Sequence, residues 1–379
     1  AFLILEDGTV FEGTHIGADK EIISEIVFNT SMAGYLEVLT DPSYAGQAVC
    51  MTYPLIGNYG ICRDDCESER PWPDGFIVRE LSRIPSNFRC DCTIQEYLEE
   101  NGVPGIAGID TRALTKILRE KGTMNGMITT NEAYDLNEVL PKLKEYTTGK
   151  VVEKVTCREK YVVAPTTELA QNGPLSGAAR FDKEAYEKGV REPKPALVTE
   201  LSGQGLKVAL LDLGAKRNIA RSLAERGCEV TVYPAGTPAQ EIIDDNPDGI
   251  MLSNGPGDPK ECTGVIAEIK KLYDTEIPIF AICLGHQLMA LATGADTHKM
   301  KYGHRGGNHP VKDLMTGRVY ISSQNHGYVV DTDKLRSGSS IHQCQRRYQR
   351  GSVLHRQEHF HRTVPSGSMS GTPGLRLPV

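Results

Sequence analysis

The chain has 379 residues, of which 39% are hydrophobic and 24% are charged, and its formal net charge is −7. These values are typical of a globular protein, the length allows two domains, and the net negative charge gives no reason to expect nucleic acid as a partner. No apolar run approaches the ~20 residues that span a membrane, and no signal segment opens the sequence. We therefore expect a cytoplasmic protein with neither nucleic acid nor membrane as a partner.

Residues 1–150 alternate short β-type runs with turn signals, which predicts an α+β, mostly β domain whose topology the pattern does not specify. A helix is predicted after Asp110, with Asp110 as its cap and Gly122 as its stop. The predicted strands are Phe2–Leu5, Glu25–Phe28, Ala48–Tyr53 and Gly75–Val78.

Residues 151–204 are predicted to form a linker or excursion between two domains. Periodicity is lost from about Pro165 to Gln204, where Pro, Gly, Thr and Lys accumulate.

Residues 205–335 alternate buried apolar strands with helices, which predicts an α/β domain with a doubly wound parallel sheet. Sites in such sheets lie at the carboxyl ends of the strands. The predicted strands are Lys207–Leu213, Glu229–Tyr233, Gly249–Ser253 and Pro278–Ile282, and the predicted helices are Arg217–Arg226, Val265–Tyr273 and Leu284–Leu291.

Cys283 lies between the last of these strands and a helix. A thiol at such a sharp turn is exposed above the sheet, and the free N–H groups of the helix lower its pKa and can stabilise an oxyanion. The alternative is a buried core cysteine that begins a helix, which is the usual environment of a lone cysteine.

Two further motifs favour the catalytic interpretation. The loop Leu252–Pro259 contains Gly-Pro-Gly, whose backbone amides can face a ligand and supply a second oxyanion donor, although such a sequence is often only a turn. The segment Ser323–Tyr328 is polar and aromatic and is suited to lining an amino-acid pocket, although Asn-His-Gly also makes simple turns.

Taken together these motifs resemble the class I glutamine amidotransferases. More narrowly, the sequence resembles the small subunits of carbamoyl-phosphate synthase over roughly residues 1–335, including an N-terminal domain that other amidotransferases lack. The motifs that carry this resemblance are Phe28–Tyr35, Leu39–Tyr44, Tyr53–Asn58, Gly105–Arg112, Leu213–Asn218 and Gly303–Pro310.

The resemblance implies a glutaminase in which Cys283 attacks the side-chain amide of L-glutamine, ammonia leaves and the thioester is hydrolysed. It implies that the Leu284 amide is an oxyanion donor and that ammonia passes to a large ATP-dependent subunit, which would hold ATP and Mg²⁺. No cofactor is expected in this chain, and carbamoyl phosphate could serve arginine or pyrimidine biosynthesis. The implied glutamine contacts are Ser43, Gly255, Gly257, Leu284, Gln287, Asn325, Gly327 and Tyr328.

The sequence departs from the family near its C-terminus. The family supplies its base and orienting acid from a His-Pro-Glu motif, which is absent here, and His309-Pro310 belongs to an earlier motif. Residues 336–379 have seven arginines and one acidic residue, Glu358, which predicts an aberrant, disordered tail. Substitution of the missing pair by His355 with Glu358, or by His359, is disfavoured because no strand is predicted to position them.

A frameshift after about Leu335 accounts for this departure. Val364–Ser370 can be encoded GTT CCA TCC GGA AGC ATG TCC, which gives Phe-His-Pro-Glu-Ala-Cys when read one base later. Ile341–Gly351, shifted in the same way, can give a second segment that resembles the family. Two matches with one offset, in the right order, favour the frameshift.

Two other functions remain open. One is a catalytically silent subunit that binds glutamine or the synthetase without turnover, because the base is absent. The other is an independent cysteine hydrolase, which the N-terminal domain argues against. The pairs Cys62 with Cys66 and Cys90 with Cys92 lack true C-x-x-C spacing, so core thiols are favoured over a metal site.

Overall fold

A computed structural model of the chain describes residues 1–165, 203, 205–312, 318–331, 340–343, 352–356 and 359–362. Most of the predicted linker, at residues 166–202 and 204, lies outside the described residues. The boundaries predicted at 150, 204 and 335 stay predictions. Among the described helices, none combines the length and the apolar character needed to cross a bilayer.

The N-terminal domain is built on an eight-stranded mixed sheet, of strand order β2-β1-β10-β4-β5-β7-β9-β3, with β6 and β8 paired separately. Apolar residues are buried on both faces of the sheet, which explains the nearly unbroken apolar runs of its central strands. The strands are β1 Phe2–Leu5, β2 Val10–Glu12, β3 Thr14–Gly17, β4 Ile22–Asn29, β5 Gln47–Met51, β6 Leu55–Ile56, β7 Gly75–Ile77, β8 Glu80–Leu81, β9 Pro104–Ala107 and β10 Met124–Thr129.

The helices of this domain begin at side-chain caps where the sequence has Asp or Thr. The predicted helix is confirmed as α3, because the Asp110 carboxylate accepts from the backbone N–H groups of Arg112 and Ala113, each at 3.0 Å, and the helix ends before Gly122. The helices are α1 Tyr35–Leu39, α2 Ile94–Glu100, α3 Thr111–Lys121, α4 Leu136–Glu145 and α5 Val152–Val155.

The second domain has a five-stranded sheet of order β11-β13-β12-β14-β15. Its strands are β11 Tyr161–Val163, β12 Lys207–Asp212, β13 Glu229–Pro234, β14 Gly249–Leu252 and β15 Ile279–Ala281, and its helices are α6 Arg217–Glu225, α7 Ala239–Asp244, α8 Thr263–Tyr273 and α9 Leu284–Ala292. The pairs β12–β13, β12–β14 and β14–β15 are parallel, which confirms the α/β prediction. The antiparallel edge strand β11 comes from the interval assigned to the linker, and its three residues were too short to signal a strand.

A long antiparallel ribbon follows the sheet. It consists of β16 Asp296–Lys312 and β17 Val319–Asp331, with two register irregularities along its length. The Ser323–Tyr328 segment therefore lies in a strand and does not form the turn that was left open. Gly and His residues interrupt the alternation of polar and apolar residues, which hid both strands from periodicity.

Three short strands lie within residues 336–379. They are β18 Ser340–Gln343, β19 Ser352–Arg356 and β20 His359–Arg362, which form an antiparallel sheet. The backbone of β20 lies beside that of β15. His355 therefore lies in β19 and His359 in β20, so the expectation that no strand would hold them is wrong. The rest of this stretch, with Glu358, is outside the described residues, so the disordered tail and the frameshift stay predictions.

Candidate active site

Cys283 forms a strained turn between β15 and α9. Its φ and ψ are 48° and −108°, a region that side-chain-bearing residues seldom adopt. Apart from Asn246, it is the one non-glycine residue with positive φ in the described part of the chain. Gly285 makes the turn possible, because a Cβ atom there would lie 2.6 Å from Leu252 Cβ. Such strain at a surface cleft is typical of functional sites.

The glycine loop after β14 approaches the start of α9. A Cβ atom on Gly255 would lie 2.1 Å from the Leu213 carbonyl oxygen, so only glycine fits there, and Gly257 has φ 90°. The N–H groups of Gly257 and Leu284 donate to no described backbone or side-chain acceptor. For Leu284 this is expected, because the first N–H groups of a helix have no intrahelical partner. Backbone N–H groups of the glycine loop and of the start of α9 are thus available at the cavity that contains Cys283.

Strand β17 forms the opposite side of the same cleft. The Cys283 thiol donates to the Asn325 carbonyl oxygen at 3.5 Å, and Gln287 Nε2 donates to the Tyr328 carbonyl oxygen at 2.8 Å. The second bond ties the first turn of α9 to β17. The sulfur, the glycine loop and β17 consequently surround one cavity.

The N-terminal domain contributes Ser43 to this cavity. Ser43 lies in the 3-10 turn Pro42–Tyr44, where Asp41 Oδ1 accepts from the Ser43 backbone N–H at 2.9 Å. Asn254 Nδ2, in the glycine loop, donates to Ser43 Oγ at 2.9 Å. The site is therefore formed between the two domains.

The structure brings nearly all of the sequence-predicted site residues together. The exception is Leu284, whose side chain is buried in the core and whose backbone alone reaches the site. The cavity is lined by Cys283 and by the other seven predicted glutamine contacts, Ser43, Gly255, Gly257, Gln287, Asn325, Gly327 and Tyr328. Their roles in glutamine binding stay predictions.

Sequence reasoning missed a buried ion pair beside the cavity. Lys216 Nζ lies 3.1 Å from Asp41 Oδ2, which also accepts from Asn325 Nδ2 at 3.1 Å. Burial alone would lower the pKa of Lys216, but Asp41 and Glu67 outweigh it and raise the pKa above its ordinary value. The pair joins the 3-10 turn of one domain to the start of α6 in the other.

A second ion pair and a buried arginine lie in the cavity wall. Glu25 on β4 is 2.5 Å from Lys299 Nζ on β16 and also accepts from Gln47 and Thr123. Burial raises the pKa of Glu25, but Lys299 and Arg305 more than offset this and hold it below its ordinary value. Sequence spacing gave no signal for this group, because β4 and β16 are about 270 residues apart.

Two histidines lie near Cys283 along the chain or across the cavity: His286 is one turn further along α9, and His326 follows Asn325 on β17. Burial, together with His326, lowers the pKa of His286 to about 4, so His286 is neutral at physiological pH, and its Nδ1 has no hydrogen-bond partner. His326 Nδ1 lies 2.8 Å from the Tyr328 carbonyl oxygen, and its Nε2 lies 3.2 Å from Gln324 Oε1. His326 lines the cavity, whereas His286 does not.

Over the described ranges, no group of three His, Cys, Asp or Glu side chains is arranged to hold a metal ion. Within those ranges, the side chains of Cys62, Cys66, Cys90 and Cys92 do not form such a group. What the site presents is a thiol, two backbone donors and a polar, partly charged cavity.

Comparison with known proteins identifies both domains. The family model described as "Carbamoyl-phosphate synthase small chain, CPSase domain" matches residues 3–128, and the one described as "Glutamine amidotransferase class-I" matches residues 209–361.

Curated relatives extend the similarity over most of the chain. The carbamoyl phosphate synthase small chain of Clostridium perfringens is 49% identical over 332 residues, which cover 88% of this chain and 84% of that protein. The protein of the same name from Fusobacterium nucleatum is 48% identical, over 88% of this chain and 82% of its own length. That from Photorhabdus laumondii is 46% identical, over 90% and 84%. The chain therefore belongs to the carbamoyl-phosphate synthase small-chain family and carries the glutamine-hydrolysing, class I amidotransferase domain of that enzyme.

Proposed function

We propose that Cys283 is the nucleophile with which this subunit hydrolyses L-glutamine. Its sulfur attacks the side-chain amide carbon, and the electrons of the carbonyl bond move to the oxygen. The resulting oxyanion is stabilised by the backbone N–H groups of Leu284 and Gly257. Collapse breaks the carbon–nitrogen bond, the nitrogen leaves with a proton as ammonia, and water then hydrolyses the thioester to glutamate.

The observation that carries this proposal is the strained backbone of Cys283 at the start of α9. A positive φ at a non-glycine residue costs on the order of 1–3 kcal/mol and persists only where the surroundings impose it. Here the strain lifts the sulfur out of the strand and places the donors of the helix start beside it. A core cysteine would gain nothing from this conformation.

The remaining predicted contacts would orient the substrate. Ser43, Gly255, Gln287, Asn325 and Tyr328 surround the cavity with hydroxyl, amide and backbone groups, which suit an amino acid with a side-chain amide. The cavity lies between the domains, so substrate binding would depend on their correct docking.

We also propose that ammonia passes to an ATP-dependent large chain. The name "small chain" of the relatives implies such a partner. The sequence contains no phosphate-binding loop, which supports placing ATP and Mg²⁺ on the partner.

A second candidate function is glutamine binding without turnover, and the observation that favours it is the absent His-Pro-Glu motif. The proton taken from Cys283 must be accepted and returned to the leaving nitrogen. Loss of the base from such a pair typically costs several orders of magnitude in rate.

The test compares the chain as written with a version whose reading frame is restored after Leu335, each with Cys283 intact and as Cys283→Ser. We expect restoration to raise ammonia release at least about 1,000-fold. We expect a glutamyl adduct by intact-mass measurement only where Cys283 is present. The matched control is Cys262→Ser, since burial raises the pKa of the Cys262 thiol to about 11 and makes it a poor nucleophile.

The outcomes separate the candidates. An adduct that survives Cys283→Ser would assign the chemistry to another residue. Glutamine binding without ammonia release by the chain as written, with turnover only after restoration, identifies that chain as the silent form of an otherwise active glutaminase.

A further inference from the structure

We propose that Arg305 recognises the α-carboxylate of glutamine and so restricts the site to α-amino acids. This inference rests on the proposed function of the same cavity. Arg305 is not among the residues that the family resemblance assigned to glutamine, and its assignment comes from its burial, its position and the charges around it.

Arg305 reaches the cavity that contains Cys283 from the strand next to β17. It lies on β16 directly opposite Asn325 of β17, whose carbonyl oxygen accepts from the Cys283 thiol. Directly opposite residues in an antiparallel pair project from the same face of the ribbon. Arg305 and Cys283 line the same cavity.

The guanidinium of Arg305 is buried with incomplete compensation. The residue is 4% exposed, its Nη1 donates to the Tyr302 carbonyl oxygen at 2.7 Å, and its Nε has no hydrogen-bond partner. Among the described residues, no carboxylate oxygen lies within 4.0 Å of it. Glu25 is near enough to feel its charge but is paired with Lys299.

Lys299, the other cation in the described wall of the cavity, is therefore already paired, whereas Arg305 faces no described carboxylate. A buried cation with unused donors is costly unless a ligand pairs with it. A guanidinium presents its N–H groups as a planar fork that matches a carboxylate. The α-carboxylate of an amino acid is the group of the substrate that satisfies this chemistry.

Two glycines hold the guanidinium in place by leaving room for it. A Cβ atom on Gly303 would lie 2.5 Å from Arg305 Nη1, and one on Gly327 would lie 3.3 Å from Nη2. The guanidinium thus packs against the backbone of Gly327, itself in the cavity wall. Its orientation is set by the ribbon before a ligand arrives, which lowers the entropic cost of binding.

The experiment measures ligand binding by calorimetry in a Cys283→Ser background, where turnover does not interfere. The two ligands are L-glutamine and 4-aminobutanamide, which is glutamine without its α-carboxylate. We expect Arg305→Gln to raise the Kd for L-glutamine on the order of 100-fold and to change the Kd for 4-aminobutanamide by less than about threefold. Arg305→Lys keeps the charge but loses the planar pair of N–H donors. Its Kd for L-glutamine should lie between those of Arg305→Gln and the parent.

The matched control is Arg63→Gln, which removes an exposed arginine paired with Glu100 away from the cavity. We expect this change to leave the binding of both ligands unaltered, because a surface ion pair contributes little. Thermal unfolding of each variant checks folding.

Equal weakening of both ligands by Arg305→Gln, or no weakening of either, overturns the assignment of Arg305 while leaving glutamine hydrolysis intact. Failure of L-glutamine to bind even with Arg305 present overturns the proposed function, and the role of Arg305 with it.

Discussion

The two sides of the cavity are held by different kinds of interaction. The amidotransferase side, formed by Cys283, the glycine loop and β17, is positioned by backbone geometry: a strained φ, glycines in close contact and strand pairing. The N-terminal side, formed by Glu25, Asp41 and Ser43, is positioned by side chains that reach across the domain boundary. The first kind tolerates almost no change in residue size, whereas the second depends on charge balance.

The largest stability effect is expected from the side-chain side, at Lys216. Lys216→Met leaves the buried Asp41 carboxylate unpaired and should lower the free energy of unfolding by about 3–5 kcal/mol. Adding Asp41→Asn should recover part of this loss, since no uncompensated charge remains.

The control for that prediction is the surface pair of Lys121 and Asp7, at 2.7 Å, where Lys121→Met should cost less than about 1 kcal/mol. Chemical unfolding of these three variants and of the parent tests the contrast. Equal losses of unfolding free energy at Lys216 and Lys121 would show that the buried interdomain pair stabilises the protein no more than the surface pair does.

The backbone side is tested by Gly255→Ala. The new Cβ atom would lie 2.1 Å from the Leu213 carbonyl oxygen and 2.8 Å from Leu284 Cδ2, so the loop must move. We expect a loss of about 2–3 kcal/mol in unfolding free energy and weaker glutamine binding.

Gly264→Ala is the matched control on α8, because a Cβ atom there meets nothing within 4 Å. It should raise stability by up to about 1 kcal/mol. A Gly255→Ala protein that unfolds and binds glutamine like the Gly264→Ala protein contradicts the backbone account of this side.

The smallest expected effect concerns His286, whose burial makes the stability of the protein depend on pH. Its folded-state pKa is about 4, below the ordinary value of 6.5, so the unfolded chain takes up the proton first as the pH falls. The contribution of neutral His286 to the free energy of unfolding is therefore fully present above pH 6.5 and is lost between pH 6.5 and 4. At pH 5 about 2 kcal/mol of this contribution has been lost.

Unfolding free energies at pH 7 and pH 5 should differ by about 2 kcal/mol less in His286→Gln than in the parent. The same difference in both proteins would mean that His286 does not cause this loss of stability between pH 7 and pH 5.

Local patterns were sufficient for much of the fold and for the position of Cys283 at a strand-to-helix turn. The strands β12, β13 and β14 and the helices α3, α6 and α9 were predicted with bounds within a residue or two of those observed. Each has a continuous apolar run or a clear start and stop, so its conformation depends mainly on its own residues. The ribbon β16–β17 was missed because its Gly and His residues break the periodicity.

The candidate site divides in the same way. The positions of Cys283 and of the glycine loop with Gly257 follow from a strand–turn–helix pattern and a Gly-Pro-Gly motif, since the chain itself places them at the carboxyl edge of the sheet. The role of Leu284 was assigned by family resemblance. Ser43, Gln287, Asn325 and Tyr328 were assigned by family resemblance, and no local pattern indicated that they converge.

What the sequence alone determined is therefore the order of most elements, the family and the position of Cys283 between a strand and a helix. What only the tertiary structure decided is the charged surroundings of that residue: Lys216 against Asp41, Lys299 against Glu25, and Arg305 without a carboxylate. The physical reason is range. Backbone conformation and capping are set by neighbours a few residues away, whereas pairing of buried charges depends on how two domains, distant in sequence, dock.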